Sequence, residues 1–315
     1  MSETDVIIAI HGLTKRFGGL TAVDSLSLTI RRGEIFGLLG PNGAGKTTTI
    51  NMLCGLQRPS SGSFELRPDP ASKPGGAELA IGLCPQAIVV WETLTCLEQL
   101  VFLAEMYDVR SSVAKKRALA LLEAMGLMEK KDRLAKTLSG GMQRRLNIIL
   151  ALVHEPAIVV LDEPQAGLDP QSRVLVRDYI RSRKSDTTVI LTTHDMEEAD
   201  KLSDRVAIMD RGKLLVLDTP RALKQAGGQE ELLELALGEE AAGRAAGLVG
   251  RLSGGGMTVT RKDGLLLIAV EDALGGMERV VRAAREEGME IEDLRIRRRT
   301  LEDVFIGLTG RGLRE

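Results

Sequence analysis

Eight consecutive residues constrain this chain more than any others: Gly40-Pro-Asn-Gly-Ala-Gly-Lys-Thr47, a G-x-x-x-x-G-K-[ST] pattern set between an apolar run at 35–39 and a segment of helical character. Gly40, Gly43 and Gly45 let the backbone wrap closely, so that its N–H groups and a helix N-terminus can meet phosphate oxygens. Lys46 is placed to neutralise the β and γ phosphates of a nucleotide, and Thr47 to ligate Mg²⁺. A plain glycine-rich turn would satisfy the letters but not the strand–loop–helix setting. That setting is the building unit of an α/β domain with a mainly parallel sheet.

A second segment completes the chemistry. In Ala157-Ile-Val-Val-Leu-Asp162-Glu163 an apolar strand delivers Asp162 to the carboxyl edge of the sheet, where α/β folds bind ligands and where the metal would sit. Glu163, next in the chain, projects differently and suits a general base that polarises the attacking water. An ion-paired carboxylate pair at a strand end is the structural alternative; a phosphate loop in the same chain favours the chemical one.

The rest of the chain organises around these motifs. Residues 6–10, 25–30 and 35–39 are expected strands, as are the short apolar runs 157–161 and 188–191, while 206–209 and 214–217 flank Asp-Arg-Gly-Lys as a hairpin. Helical spacing through 97–106, 114–125 and 142–153 marks a helical block at about 90–153. The pattern restarts at Gly227. Of 34 glycines, 16 lie after residue 226, a second compositional regime that argues for a domain at 1–226 followed by a small α+β domain at 227–315. Expected strands at 232–237, 257–260, 265–270 and 289–296, with helices at 240–252 and 277–287, give the β-α-β-β-α-β order of a ferredoxin-like split βαβ, followed by a short helix at 300–308.

Leu138-Ser-Gly-Gly-Met-Gln-Arg-Arg145, ahead of Asp162-Glu163-Pro164, resembles the signature sequence of the ATP-binding-cassette (ABC) ATPases. The other cassette elements occur in order: Phe17 in Lys-Arg-Phe-Gly, Gln86 in Cys-Pro-Gln, Asp169 in Gly-Leu-Asp, and His194 in Thr-Thr-His-Asp. Collinear agreement over residues 1 to about 220 implies an α/β cassette with a mixed sheet core and a helical subdomain, using ATP and Mg²⁺. The resemblance implies that Phe17 stacks on adenine and that Gly40, Asn42, Gly43, Ala44, Gly45, Lys46, Thr47 and Thr48 cradle the phosphates. It implies Thr47, Gln86 and Asp162 at the metal, Glu163 as catalytic base aided by His194, Lys46 and Gln86, and Ser139, Gly140, Gly141 and Asp169 acting across a head-to-tail pair of cassettes. Gln165-Ala166 departs from the usual Thr-Ser or Thr-Asn, and residues 67–76 replace a more regular hairpin. Leu252-Ser-Gly-Gly repeats the signature letters, but alternating strand residues rather than a helix follow it; it is expected to be a glycine-rich loop.

The tail Arg295-Ile-Arg-Arg-Arg-Thr-Leu-Glu-Asp-Val-Phe-Ile-Gly-Leu-Thr-Gly310 is similar to the ending of daunorubicin-resistance-type cassettes, with Arg299 where that family has Pro. That subgroup serves ABC-2-type exporters. The resemblance therefore implies a separate transmembrane permease, a second cassette in a homodimer, and a cytoplasmic position on the inner face of the membrane. Alternatives are an importer cassette with an appended regulatory domain, a translation or DNA-repair cassette ATPase, and a kinase or GTPase sharing only the phosphate loop. With 42 Lys plus Arg against 44 Asp plus Glu, the chain lacks the basic excess of a phosphate-backbone binder, so no nucleic-acid partner is expected. The acidic start carries no secretory signal pattern, and no apolar run approaches the ~20 residues of a spanning helix. Cys54, Cys84 and Cys96 are expected as buried thiols, and Trp91 as packed within the helical block.

Overall fold

The computed structural model describes residues 5–67, 81–184, 186–226, 231–237, 245–255, 257–262, 264–270 and 272–310. Three expectations fall outside these residues: the character of the start at 1–4, the segment 68–76, and the first turn of the helix expected from residue 240. The chain divides into two compact units, Met1–Leu217 and Asp218–Glu315.

The first unit is built on β1 (Val6–Phe17), β2 (Leu20–Arg31), β3 (Ile35–Leu39), β4 (Ser61–Leu66), β5 (Ile81–Cys84), β6 (Ile158–Asp162), β7 (Thr188–Thr193), β8 (Arg205–Asp210) and β9 (Lys213–Asp218). Its main sheet has the order β5-β6-β7-β3-β8-β9, parallel from β5 through β8. A separate antiparallel sheet runs β2-β1-β4. Every residue of β3, β6 and β7 is buried, because side chains that alternate across the sheet meet an apolar layer on both faces. In β6, Val159 and Leu161 join the cluster that contains the helical block, while Ile158 and Val160 join the cluster that contains the antiparallel sheet. Burying each such side chain stabilises the fold by about 1.5–3 kcal/mol.

The helices are α1 (Lys46–Leu53), α2 (Cys96–Met106), α3 (Ser111–Ala124), α4 (Gly140–Leu150), α5 (Pro170–Ser182) and α6 (Met196–Leu202). Helix α2 starts with a capping box: the Glu98 N–H donates to the Thr95 hydroxyl at 3.2 Å, and the Thr95 N–H to the Glu98 carboxylate at 2.8 Å. Pro170 at the first position of α5 suits a helix start, since its missing N–H would have had no helical partner.

In the second unit, α7 (Pro220–Gln225) precedes β10 (Glu231–Leu237), α8 (Ala245–Gly254), β11 (Thr258–Lys262), β12 (Leu265–Val270), α9 (Ala273–Glu286), β13 (Ile291–Arg298) and α10 (Leu301–Thr309). The strands form a sheet of order β11-β12-β10-β13 with every neighbouring pair antiparallel. Leu233, Leu235, Leu248, Ile268 and Val280 fill its core. Arg297 forks onto Asp303 at 2.6 and 2.9 Å and reaches Glu234 at 2.9 Å, so the centre of the 295–299 arginine run is paired within the unit.

Several expectations are corrected. Strand β1 runs seven residues past the expected end at Ile10, because register shifts at Ile10/Leu13 and Leu13/Lys15 break the alternation that marks a strand. The second Leu-Ser-Gly-Gly is not a loop: Leu252-Ser-Gly closes α8, so it presents helix carbonyls rather than the N–H groups of a helix start. Trp91 does pack on the helical block, meeting Phe102 of α2 edge to face at 5.8 Å, and stays 41% exposed. Cys84 and Cys96 are fully buried, whereas Cys54 is only partly so.

Candidate functional site

The phosphate loop lies between β3 and α1, and its shape depends on glycine. Gly40 has φ +147°, and a Cβ there would stand 2.2 Å from the Met209 carbonyl oxygen; at Gly45, φ +98°, it would stand 2.4 Å from that of Ala22. Gly45 is also the N-cap of α1, and it supplies no side chain to the first turn. The leading N–H groups of α1 are therefore left for a ligand, whereas α2, α4, α5 and α6 are capped by Thr95, Ser139, Asp169 and Asp195. Lys46 is buried and folds back along the loop, its Nζ donating to the carbonyl oxygens of Gly40 at 2.7 Å and Pro41 at 3.1 Å. Burial lowers the Lys46 pKa, while the Glu163 and Asp162 carboxylates oppose that shift by stabilising its charge. Asn42, Gly43 and Thr47 are exposed, Thr48 is half-buried, and Ala44 is buried with its carbonyl held by the Gly212 N–H at 3.1 Å.

Opposite the loop, β6 ends on Asp162. Its Oδ2 accepts from the Thr47 hydroxyl at 3.1 Å, and its Oδ1 from the Thr192 hydroxyl. Glu163 follows with φ +51°, a left-handed conformation uncommon for a side chain of this size, and its N–H donates to Thr192 Oγ1 at 3.1 Å. That turn aims its carboxylate at the end of the neighbouring strand, where His194 Nδ1 lies 2.9 Å from Glu163 Oε1. A cavity lined in part by Glu163, Gly167, Arg173 and His194 opens beside the pair.

The Thr47 hydroxyl and the Asp162 carboxylate form a pair of hard oxygen donors at the foot of an uncapped helix. That set suits Mg²⁺, which is bound through few protein oxygens together with substrate phosphates. Among the described residues no group of three or more His, Cys, Asp and Glu could hold a metal by itself.

The structure thus brings the loop residues Gly40 to Thr48 together with Asp162, Glu163 and His194, and places Gln86, Phe17, Ser139, Gly140, Gly141 and Asp169 elsewhere. Gln86 is exposed, and among the described residues no hydrogen bond joins its side chain to Thr47 or Asp162; its backbone carbonyl accepts from Arg144 at 2.7 Å. Phe17, 46% exposed at the end of β1, has Lys15 Nζ 5.0 Å from its ring centroid. Ser139 caps α4 by accepting from the Met142 N–H at 3.3 Å, ahead of Gly140 and Gly141, and Asp169 caps α5 through the Ser172 N–H and hydroxyl. The residue missed by sequence reasoning is Arg144. It sits in the quoted signature segment, but its partners are backbone carbonyls and leave no trace in a motif.

A phosphate loop at the carboxyl edge of a parallel sheet, a hydroxyl–carboxylate pair for Mg²⁺, and a glutamate with a histidine beyond it define a nucleotide-hydrolysing ATPase of the phosphate-loop class. A family model described as "ABC transporter" matches residues 23–166. The chain belongs to this ABC family, as an ATP-binding cassette that hydrolyses ATP with Mg²⁺. It is 38% identical over 308 residues to the daunorubicin resistance ATP-binding protein DrrA3 of Streptomyces coeruleorubidus, covering 97% of this chain and 96% of that protein. It is 34% identical to the linearmycin resistance ATP-binding protein LnrL of Bacillus subtilis, covering 98% and 100% of the two. Among solved structures, an ATP-binding subunit of an ABC transporter aligns with a TM-score of 0.62 at 25% identity, over 70% of this chain and 93% of that one.

Proposed function

We propose that this chain is the ATP-hydrolysing subunit of an ABC-2-type exporter, in which two copies close head to tail around two ATP molecules and thereby drive a separate membrane permease. The observation that carries the hydrolytic part is Glu163 held at the end of β6, beside the Thr47–Asp162 pair and within 2.9 Å of His194. Glu163 takes a proton from the attacking water as the water oxygen bonds to the γ-phosphorus. The bond from that phosphorus to the bridging oxygen breaks, and its electron pair leaves with ADP. His194 holds the Glu163 carboxylate and contacts the γ-phosphate, Lys46 leaves its carbonyl partners for the β and γ phosphates, and Phe17 stacks on adenine. Thr47 and Asp162 would hold Mg²⁺, which would neutralise charge on the phosphate oxygens. Ser139, Gly140 and Gly141 offer the start of α4 to the γ-phosphate of the partner cassette, where helix N–H groups favour negative charge. Asp169 couples the two sites, and Gln86 reports nucleotide state.

Export is supported by the relatives that match along nearly the whole chain, which are named as drug-resistance ATP-binding proteins, and by a Nod factor export ATP-binding protein that is 41% identical over 69% of this chain. A permease-docking face is supported by Ile88, Val89, Trp91, Phe102 and Met106, exposed apolar side chains in the segment after Gln86 and on α2. No described helix is long and apolar enough to cross a membrane, so the membrane part is assigned to a partner. This reading places the chain on the cytoplasmic face of the membrane, with the second unit as a ferredoxin-like accessory domain. Expression with the neighbouring membrane subunit tests it: the two should co-purify, and a transported compound should raise ATP turnover. Recovery with ribosomes or DNA and no membrane subunit would overturn it.

A further inference from the structure

Arg144 on α4 is 2% exposed, and among the described residues no carboxylate pairs with it. All of its hydrogen bonds go to backbone carbonyls: Nη1 donates to Pro85 at 3.0 Å and Gln86 at 2.7 Å, Nη2 to Asp162 at 2.8 Å and to Glu163, and Nε to Pro164 at 3.3 Å. A buried charge survives only when its hydrogen-bonding groups are satisfied, and a planar fork of five donors can serve several converging carbonyls as a compact ammonium cannot. The five carbonyls come from two segments far apart in sequence, one carrying Gln86 and the other Asp162 and Glu163.

Glu163 shows what this achieves. Its left-handed backbone persists only if both flanking peptides are held. On the amino side the N–H is bonded to Thr192, and on the carboxyl side the carbonyl is bonded to Arg144. The same guanidinium holds the Gln86 carbonyl at 2.7 Å, so the Gln86 segment cannot move without disturbing the anchor of Glu163. Asn147, one turn on, accepts from the Val89 N–H at 3.3 Å but is not bonded to 162–164, which leaves Arg144 as the bridge between the two segments on this face of α4.

We infer that Arg144 is a positioning residue that couples the backbone at Gln86 to the backbone of Glu163, so that displacement of the first segment redirects the Glu163 carboxylate. This rests on Glu163 acting as the general base. The test is ATPase kinetics of Arg144→Lys and Arg144→Gln, each alone and in the Glu163→Gln background, with thermal midpoints measured alongside. Misplacing the base should lower kcat on the order of 10²-fold while KM for ATP stays within about twofold. In the Glu163→Gln background, the same substitution should cost less than about threefold, since the group it positions is already disabled. Equal losses in both backgrounds, or a raised KM with kcat kept, would overturn the inference. Should neither variant fold, amide exchange on the wild-type protein decides: residues 86–89 and 163–166 should open as one unit with a shared denaturant dependence, and independent opening would overturn it. Wild-type turnover in Glu163→Gln alone would remove the base assignment and leave the backbone coupling to be judged by exchange.

Discussion

His194 Nδ1 stands 2.9 Å from Glu163 Oε1, although the two residues are 31 positions apart. The parallel register explains the meeting: Asp162 of β6 pairs with Thr192 of β7, so the residues just beyond each strand emerge at the same sheet edge. The Glu163 side chain is 9% exposed and that of His194 59%. The carboxylate is thus sheltered beside a far more exposed imidazole.

Replacing Lys46 by Ala should weaken nucleotide binding rather than slow turnover alone. Hydrogen bonds to a charged group are worth roughly 1.5–3 kcal/mol, so the affinity loss should be about tenfold to a hundredfold. Equilibrium binding of a labelled ATP analogue reads this directly, and unchanged affinity would remove Lys46 from the phosphate site.

Two loop glycines should respond very differently to Ala. At Gly43, φ is +82° and a Cβ would meet nothing within 4 Å, so the substitution should cost only the left-handed strain of about 1–2 kcal/mol. At Gly40 the new Cβ would collide with the Met209 carbonyl, and destabilisation should clearly exceed that of Gly43→Ala in urea unfolding.

His154 stacks on Tyr107 at 3.9 Å, and neither buried ring nitrogen has a partner. Burial, with a smaller contribution from the Arg117 charge, pushes its pKa down to about 4. Above the ordinary His value of about 6.5 the ring is neutral both folded and unfolded; as pH falls from there toward about 4, the unfolded chain takes up a proton that the folded one resists, and stability is lost. His154→Phe keeps a ring for Tyr107 and removes both unpaired nitrogens. The fall in melting temperature between pH 7.5 and pH 5 should therefore be smaller in the variant than in the wild type, and equal falls would contradict this.

How much of this was legible in the sequence depended on where each residue's partners lie. Strands β3, β6 and β7 could be read because a sheet covered on both faces demands unbroken apolar runs, and the phosphate loop because its glycines answer backbone demands that no other residue meets. The Phe17 end of β1 was hidden by bulges, and β4 by the exposed, polar Ser61-Gly-Ser. Ser139 and Asp169 were read for what they offer a partner cassette, yet each also caps its own helix, a local task the motif does not announce. Arg144 could not be weighed, since its five acceptors are carbonyls that any residue supplies.

The central claim is that Glu163 is the base for ATP hydrolysis. ATP turnover of Glu163→Gln at saturating nucleotide tests it most directly, because the amide preserves the shape of the side chain and removes its capacity to take a proton from water. In this variant ATP should still bind while turnover falls by roughly 10²- to 10⁴-fold, the range of a general base; turnover close to the wild type would mean that Glu163 is not the base.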